Sequence, residues 1–539
     1  MSELSRGRPA STSNNAKAPA VGRRLPLLWV APIALAGLVV RLTAGPHPVD
    51  DAFITFRYAL NLVDGRGLVY NPGEFVLGTS APLYAVLLAA AAKLTGSRSF
   101  PDLALWINSL ADSVSIGLVF LILRRLRLAI GPAILASLLV ALSPFTIRYS
   151  IGGMETSVLT LVCLLSALLF LRGHRLAPYH LAGLAAGLRP DALAYGAALL
   201  IGETWRIRRV PWRSLAVIAA WTGLGMLLLW VSYGEPLPHS VLAKAHQVYR
   251  VDPGTNFLQH VFLFSSLSLT GARGFGARGL VVSPSPALNV LALVGFLPLA
   301  ALWAMGAVRE ARDEPHSSAF SIYLVIFTSV YSLLGLRGSL MAEWYLVPLV
   351  PFWLIPLFSG LAVVDQGVQR ASMRGLVWAL PLALLVIEVA SLNLGRDETK
   401  PATLPLNVWV EREELYLQAA DFLKDSASED SLVAASEIGA LGYACECRIL
   451  DTVGLVSPSV STYYPLPEES LVGNYAVPTE LILSHKPDYL VSLEIFLRNT
   501  LLKDETFLSE YREVWRAQTD AFGSRGLLIF RKTAKDPED

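Results

Sequence analysis

The chain is 539 residues long, 53% hydrophobic and only 16% charged, with a mean hydropathy of +0.50. Soluble domains run at about 45–50% apolar and about 25% charged, so this composition over this length points to a bilayer rather than to water. The 44 basic and 43 acidic residues leave a net charge of +1, which excludes nucleic acid as the main partner, since such proteins carry a basic excess. Three cysteines exclude a disulfide scaffold and a cysteine-rich metal cluster.

Residues 1–24 are polar, Ser-rich and basic, and read as a disordered cytoplasmic N-terminus. The apolar run from Leu25 to Ala44 has the length of a full span, and the chain stays apolar after it. It reads as a retained anchor rather than a cleaved signal, with its basic flank in the cytoplasm. Further runs near 103–123, 130–147, 157–172, 214–232, 285–307, 319–336, 343–361 and 375–394 meet the rule of about 20 residues per crossing. The runs 81–95 and 257–270 are too short to cross cleanly. The stretch 177–202 is broken by Arg189-Pro190-Asp191. Proline interrupts the helix and the charges forbid lipid contact, so two half-spanning helices are expected there. Arg-rich segments at 124–127, 172–175, 206–213, 309–312 and 366–374 then fall inside, as the positive-inside rule requires. Left outside are 45–80, 148–156, 233–284, 337–342 and everything after about 395. The outer basic residues Arg148, Arg273, Arg278 and Arg337 are site candidates.

From Gly395 the composition changes. Glu411-Arg412-Glu413-Glu414 opens an amphipathic helix through Leu423, and strands are expected at 431–435, 448–451, 488–492 and 526–530. The expected architecture is a polytopic α-helical membrane protein of about 9–12 membrane helices, half-spanning ones included. It divides into the N-terminus 1–24, a membrane domain 25–395 and an extracytoplasmic soluble α/β domain 396–539.

The unusual polar clusters all fall on the outer side. Asp50 and Asp51 directly follow the first span. Mutual repulsion raises the proton affinity of one of two adjacent carboxylates, which suits a general base or a cation site; helix capping by Asp51 explains one acid but not both. The turn-rich loop from Gly65 to Ser80 is placed to shape the floor beneath them. Glu155 opens a later span, and Arg189 and Asp191 are charges at membrane depth, a functional signal by default; an internal ion pair is the bland alternative. Lys244 with His239 or His246 suits a grip on a phosphate. Trp344 and Tyr345 read as an interfacial belt, or as a surface that stacks on a sugar. Cys445-Glu446-Cys447 is too close for an easy disulfide, and no zinc set completes it. The glycine-rich loop 271–279 reads as a mobile basic loop, since it lacks the strand and helix of a phosphate cradle.

Asp50-Asp51-Ala52-Phe53-Ile54-Thr55-Phe56-Arg57-Tyr58, Asn71-Pro72-Gly73-Glu74, Gly78-Thr79-Ser80, Gly153-Met154-Glu155, Arg189-Pro190-Asp191 and Pro238-His239-Ser240-Val241-Leu242-Ala243-Lys244, in that order, resemble the GT-C superfamily of polyprenyl-phosphate-dependent glycosyltransferases. More narrowly, they look like its cell-wall terminal arabinofuranosyltransferase branch. The strings 436–443 and 451–456 look like the soluble tail of that branch. The resemblance implies an inverting transfer from a polyprenyl-phosphate sugar to a glycan or glycoconjugate acceptor at the outer face of the cell membrane. Asp50 or Asp51 would be the base. Lys244, His246, Arg189 and Arg57 would hold the donor phosphate. Glu155, His239, Asp191, Trp344 and Tyr345 would contact substrate. No nucleotide sugar is needed, no cofactor is assigned with certainty, and Asp50/Asp51 is a candidate site for Mg²⁺, Mn²⁺ or Ca²⁺, which two carboxylates alone bind poorly. A transporter or flippase for a lipid-linked sugar is the competing reading, because broken helices and buried charges also mark transport pathways. The lack of an internal repeat and the one-sided clustering of charge weigh against it.

Overall fold

The computed structural model describes residues 25–245, 286–336, 343–392, 408–428, 430–472 and 475–533. The first run Leu25–Ala44 is helix α1, and α2 (Asp50–Val63) follows after a short turn. Then come α3 (Pro82–Thr95), α4 (Phe100–Arg125), α5 (Ile130–Leu142), α6 (Pro144–Ile151) and α7 (Thr156–Leu171). The segment expected to break does so: α8 (Ala177–Leu188) and α9 (Leu193–Ile207) are joined by a 3₁₀ turn at Pro190–Ala192. After α10 (Trp212–Tyr233) and the short α11 (His239–Ala245) the described chain resumes with α12 (Pro286–Asp313), α13 (Ser318–Leu336), α14 (Val350–Gly367) and α15 (Ala371–Ser391).

Among the described residues five helices are long and apolar enough to cross a membrane, six if one bent pair counts as a span. Three shorter apolar helices, Leu28–Ala44, Pro82–Thr95 and Thr156–Leu171, accompany them. This is a multi-pass membrane protein with partial spans. The bent pair departs from the straight span expected at 130–147. Here α5 and α6 meet at 46°, because Pro144 has no N–H to donate and holds Ser143 in extended backbone (φ −62°, ψ 116°). The short run at 257–270 lies outside the described residues.

Two features hold the bundle together. Gly306 and Gly360 leave no room for a Cβ between α12 and α14, so the two backbones touch. Arg41 of α1 is fully buried, with Nε 2.7 Å from Asp112 Oδ2 on α4, and its other nitrogens donate to the Gly37 and Ala141 carbonyls and Thr146 Oγ1.

The boundary expected at 395/396 falls in 393–407, outside the described residues. Beyond it α16 (Val408–Ser426) opens a five-stranded sheet of β1 (Leu432–Ala435), β2 (Arg448–Asp451), β3 (Tyr489–Leu493), β4 (Tyr511–Ala517) and β5 (Leu527–Lys532). The order is β2-β1-β3-β5-β4, with β1 to β3 parallel and β4 and β5 antiparallel to their neighbours. Four strands match expectation. β4 does not, because it is an edge strand carrying exposed Arg512, Glu513 and Arg516, and charge on an edge masks the apolar signal while it deters pairing with another chain.

One expectation is corrected. Cys445 and Cys447 form a disulfide, their Cα atoms 5.2 Å apart, within the usual range of about 4.4–6.8 Å. Glu446 between them takes a left-handed backbone (φ 56°), which folds the chain back on itself and brings the two thiols together after the helix α17 (Gly439–Cys445).

Candidate active site

The diacid is placed by the start of α2. Val49 is the N-cap residue and makes no side-chain cap bond; Asp50 and Asp51 are the first two helical residues. Capping by Asp51 is therefore not its role, although both acids still sit favourably at the positive end of the helix. The turn before α2 is pinned to the end of α6, where His47 and Val49 donate to the Ile151 and Gly152 carbonyls. Gly153, with φ +77°, packs against Phe56 and Ala52. This brings the Gly153-Met154-Glu155 motif against the first turn of α2.

Glu155 belongs to a cluster of five expected residues, with Arg189, Asp191, Trp344 and Tyr345. Arg189 Nη1 is 3.1 Å from Glu155 Oε1, and its Nη2 is 2.6 Å from Asp191 Oδ2. The guanidinium lies over the Tyr345 ring at 4.1 Å. Trp344 packs edge-on to Tyr345 and against Tyr149. Tyr331, which the sequence did not single out, donates to Asp191 Oδ2 at 2.9 Å. Arg189 and Glu155 are buried, while Asp191, Tyr331, Trp344 and Tyr345 keep partial exposure. One cation with two carboxylates is a net negative group. Its negative field and that of Asp51 overlap.

On its other side the diacid meets the C-terminal domain. Asp50 Oδ1 accepts from the Gly439 N–H at 2.7 Å. Arg412, buried on α16, binds Glu413 Oε1 at 2.6 Å and Glu437 Oε1 at 2.8 Å, and its charge bears on Asp50. Asp50 keeps partial exposure, yet desolvation pushes its carboxyl up to about 6. Arg412 opposes that rise, Asp51 adds to it, the Gly439 N–H opposes it and Asp451 adds to it. Burial likewise pushes Glu437 up to about 8, against the pull of Arg412 and with the push of Asp50 and Asp51. Asp451, at the end of β2, is fully buried and accepts from the N–H groups of Val453, Leu455 and Val456.

The loop expected beneath the diacid ties the two halves together. Tyr70 donates to the Ile438 carbonyl at 2.6 Å. Asn71 exchanges two hydrogen bonds with the backbone of Ile449, at 2.9 and 3.0 Å, as an added strand would. Glu74 pairs with Arg448 at 2.7 Å. Arg57 belongs to this clamp: it is fully buried, with Nε donating to the Tyr70 carbonyl and Nη2 to those of Glu446 and Cys447. His239 pairs with Glu235 at 3.1 Å, and its N–H donates to the Leu77 carbonyl. Lys244 sits on α11; His246, Arg273, Arg278 and Arg337 lie outside the described residues. Among the described residues no group of three His, Cys, Asp or Glu side chains is gathered as metal ligands.

With Tyr331, the residues Arg412, Glu413 and Glu437 are site residues that the sequence did not single out. Arg412 and Glu413 stood in the charged start of an amphipathic helix and Glu437 in the 436–443 string that resembles the soluble tail of the branch, and neither pattern assigned them to the site.

A family described as a domain of unknown function, DUF8728, matches residues 407–533. No curated protein sequence matches. Two solved structures of ArnT from Cupriavidus metallidurans, one apo and one bound to undecaprenyl phosphate, are 14% identical and cover 94% of this chain and 98% of their own, with TM-scores of 0.55 and 0.53. The mycobacterial arabinofuranosyltransferase AftD aligns at 14% identity over 95% of this chain and 42% of its own, with a TM-score of 0.42. The chain thus shares the fold of the ArnT structures and is a multi-pass membrane protein with a small sheet-bearing domain at its C-terminal end.

Proposed function

We propose that the protein is a membrane glycosyltransferase that moves a sugar from a polyprenyl-phosphate donor to a glycan or glycoconjugate acceptor. The observation that carries this reading is the placement of Asp50 and Asp51 at the start of α2, between the Glu155–Arg189–Asp191 triad and the Arg412–Glu437 pair. The fold it shares with ArnT, which is seen with undecaprenyl phosphate, supports a lipid-linked donor.

Asp50 takes the proton of the acceptor hydroxyl. The acceptor oxygen bonds the anomeric carbon from one face, and the bond from that carbon to the phosphate oxygen breaks on the other. Polyprenyl phosphate leaves with the electron pair, and the sugar inverts. Positive charge grows on the anomeric carbon in such displacements, and the net negative triad suits that charge. Arg189 is already shared by two carboxylates and Arg57 by three carbonyls. The leaving phosphate is therefore assigned to Lys244 and His246, with Trp344 and Tyr345 facing the sugar. Arabinofuranose is the first sugar to test, on the order of the sequence motifs. The site and the C-terminal domain are assigned to the extracytoplasmic face of the cell membrane and the N-terminus to the cytoplasm. The Cys445–Cys447 disulfide supports an oxidising compartment there.

The test is a transfer assay with purified protein and a panel of radiolabelled polyprenyl-phosphate sugars. Wild-type protein should transfer one of them and Asp50→Asn should not; equal turnover by both would remove the base assignment.

A further inference from the structure

We propose that the C-terminal domain is part of the catalytic centre rather than an appended binding module, and that its Arg412 is a positioning residue for Asp50. This inference rests on the reading of Asp50 as the base given above.

The contact is directed at the carboxylate itself. The Gly439 N–H donates to Asp50 Oδ1 at 2.7 Å. A side chain at Gly439 would overlap the Asp50 backbone carbonyl and carboxylate, so α17 approaches as closely as it does only because glycine stands there. Gly442, one turn on, is equally confined by the Tyr70 hydroxyl. Around this point Tyr70–Ile438, Asn71–Ile449, Glu74–Arg448 and Arg57 with the Glu446 and Cys447 carbonyls fix the domain in one register. A tethered module has no need of four directed contacts with the bundle beside the one made to the base.

Arg412 supplies what the geometry alone lacks. Asp50, Asp51, Glu413, Glu437 and Asp451 bring five carboxyl groups into one electrostatic neighbourhood, with Tyr70 beside them. Arg412 is the cation that acts on Asp50 there, itself held by Glu413 and Glu437. Its ion pairs with Glu413 and Glu437 hold α16 against the 437–439 turn, whose Gly439 N–H fixes Asp50 Oδ1, so losing Arg412 shifts the contact that places Asp50. A misplacement of about 1 Å costs on the order of 10² in rate.

The experiment uses the full-length protein in nanodiscs with the sugar donor found active in the panel. Arg412→Met should lower kcat by about 10²-fold while KM for donor and acceptor stays near wild type; Arg412→Lys should recover most of that loss. Should Arg412→Met fold poorly, Arg412→Met combined with Glu437→Gln removes the uncompensated charge, and it should fold yet remain slow. Gly439→Ala, which leaves every charge in place, should also lower kcat. Wild-type kcat in the folded Arg412→Met and Gly439→Ala variants, or a loss confined to acceptor KM, overturns the inference and leaves the transferase reading standing. A wild-type protein that transfers no sugar from any lipid donor overturns both.

Discussion

Asp50 is desolvated by the domain above it and partly compensated by Arg412, so its proton leaves near pH 6. A base must be unprotonated to act. Transfer should therefore be full above about pH 6 and fall about tenfold for each unit below it, read as kcat/KM against pH. Asp50→Asn should lower turnover by about 10²–10⁴-fold at any pH. A profile flat from pH 5 to 8 would place the proton elsewhere. The adjacent acids were legible in the sequence because two carboxylates after a span lack a structural reason. Arg412 was not legible, since its neighbour Glu413 made it look like one more surface charge on an amphipathic helix. Arg189 and Asp191 were legible as charges at membrane depth, and Glu155 as an acid opening a span. Their union into one triad depends on α7 and the break between α8 and α9 meeting in space.

At the level of elements, the 57–78 loop region fastens the bundle to the sheet. Asn71→Ala removes both bonds to Ile449 and leaves a buried N–H and C=O unpaired, at a cost of about 1–3 kcal/mol. Gly442→Ala drives a methyl group into the Tyr70 hydroxyl, and overpacking of that kind costs about 1–3 kcal/mol. Both variants should lower the thermal midpoint of the detergent-solubilised protein, whereas Gly65→Ala, in open space but at φ +77°, should show only local backbone strain. The helix runs were readable because apolar length is a property of the chain alone. The bend at Pro144 was not read from the sequence, where 130–147 stood as one span. Proline announces a break, but whether a span continues beyond it depends on what the second piece packs against. The edge strand β4 escaped for the opposite reason, its charges serving the isolation of the edge rather than its pairing.

Over the whole molecule, Arg41–Asp112 is a buried ion pair between the first span and α4. Breaking such a pair from one side costs about 3–5 kcal/mol. Asp112→Ala should accordingly depress yield and thermal stability, and per-molecule transfer should survive in whatever fraction folds. Reporter fusions give the topological check. Fusions near 210 and 310 should report cytoplasm, and a fusion after residue 533 the outside. The opposite result would put the diacid on the wrong leaflet for an outward-facing acceptor.

The sequence by itself determined that the chain lives in a membrane, where most of its helices run, that α8 and α9 are interrupted, and which acids follow the first span. These are local properties: apolar length, proline chemistry and the cost of a charge in lipid act on a segment wherever it ends up. Only the tertiary structure decided that the sheet-bearing domain closes over Asp50, that Arg57 clamps carbonyls, and that Cys445 and Cys447 pair. Each of those depends on residues hundreds of positions apart, or on a single left-handed residue turning the chain, and the strength of a buried charge is set by its neighbours in space.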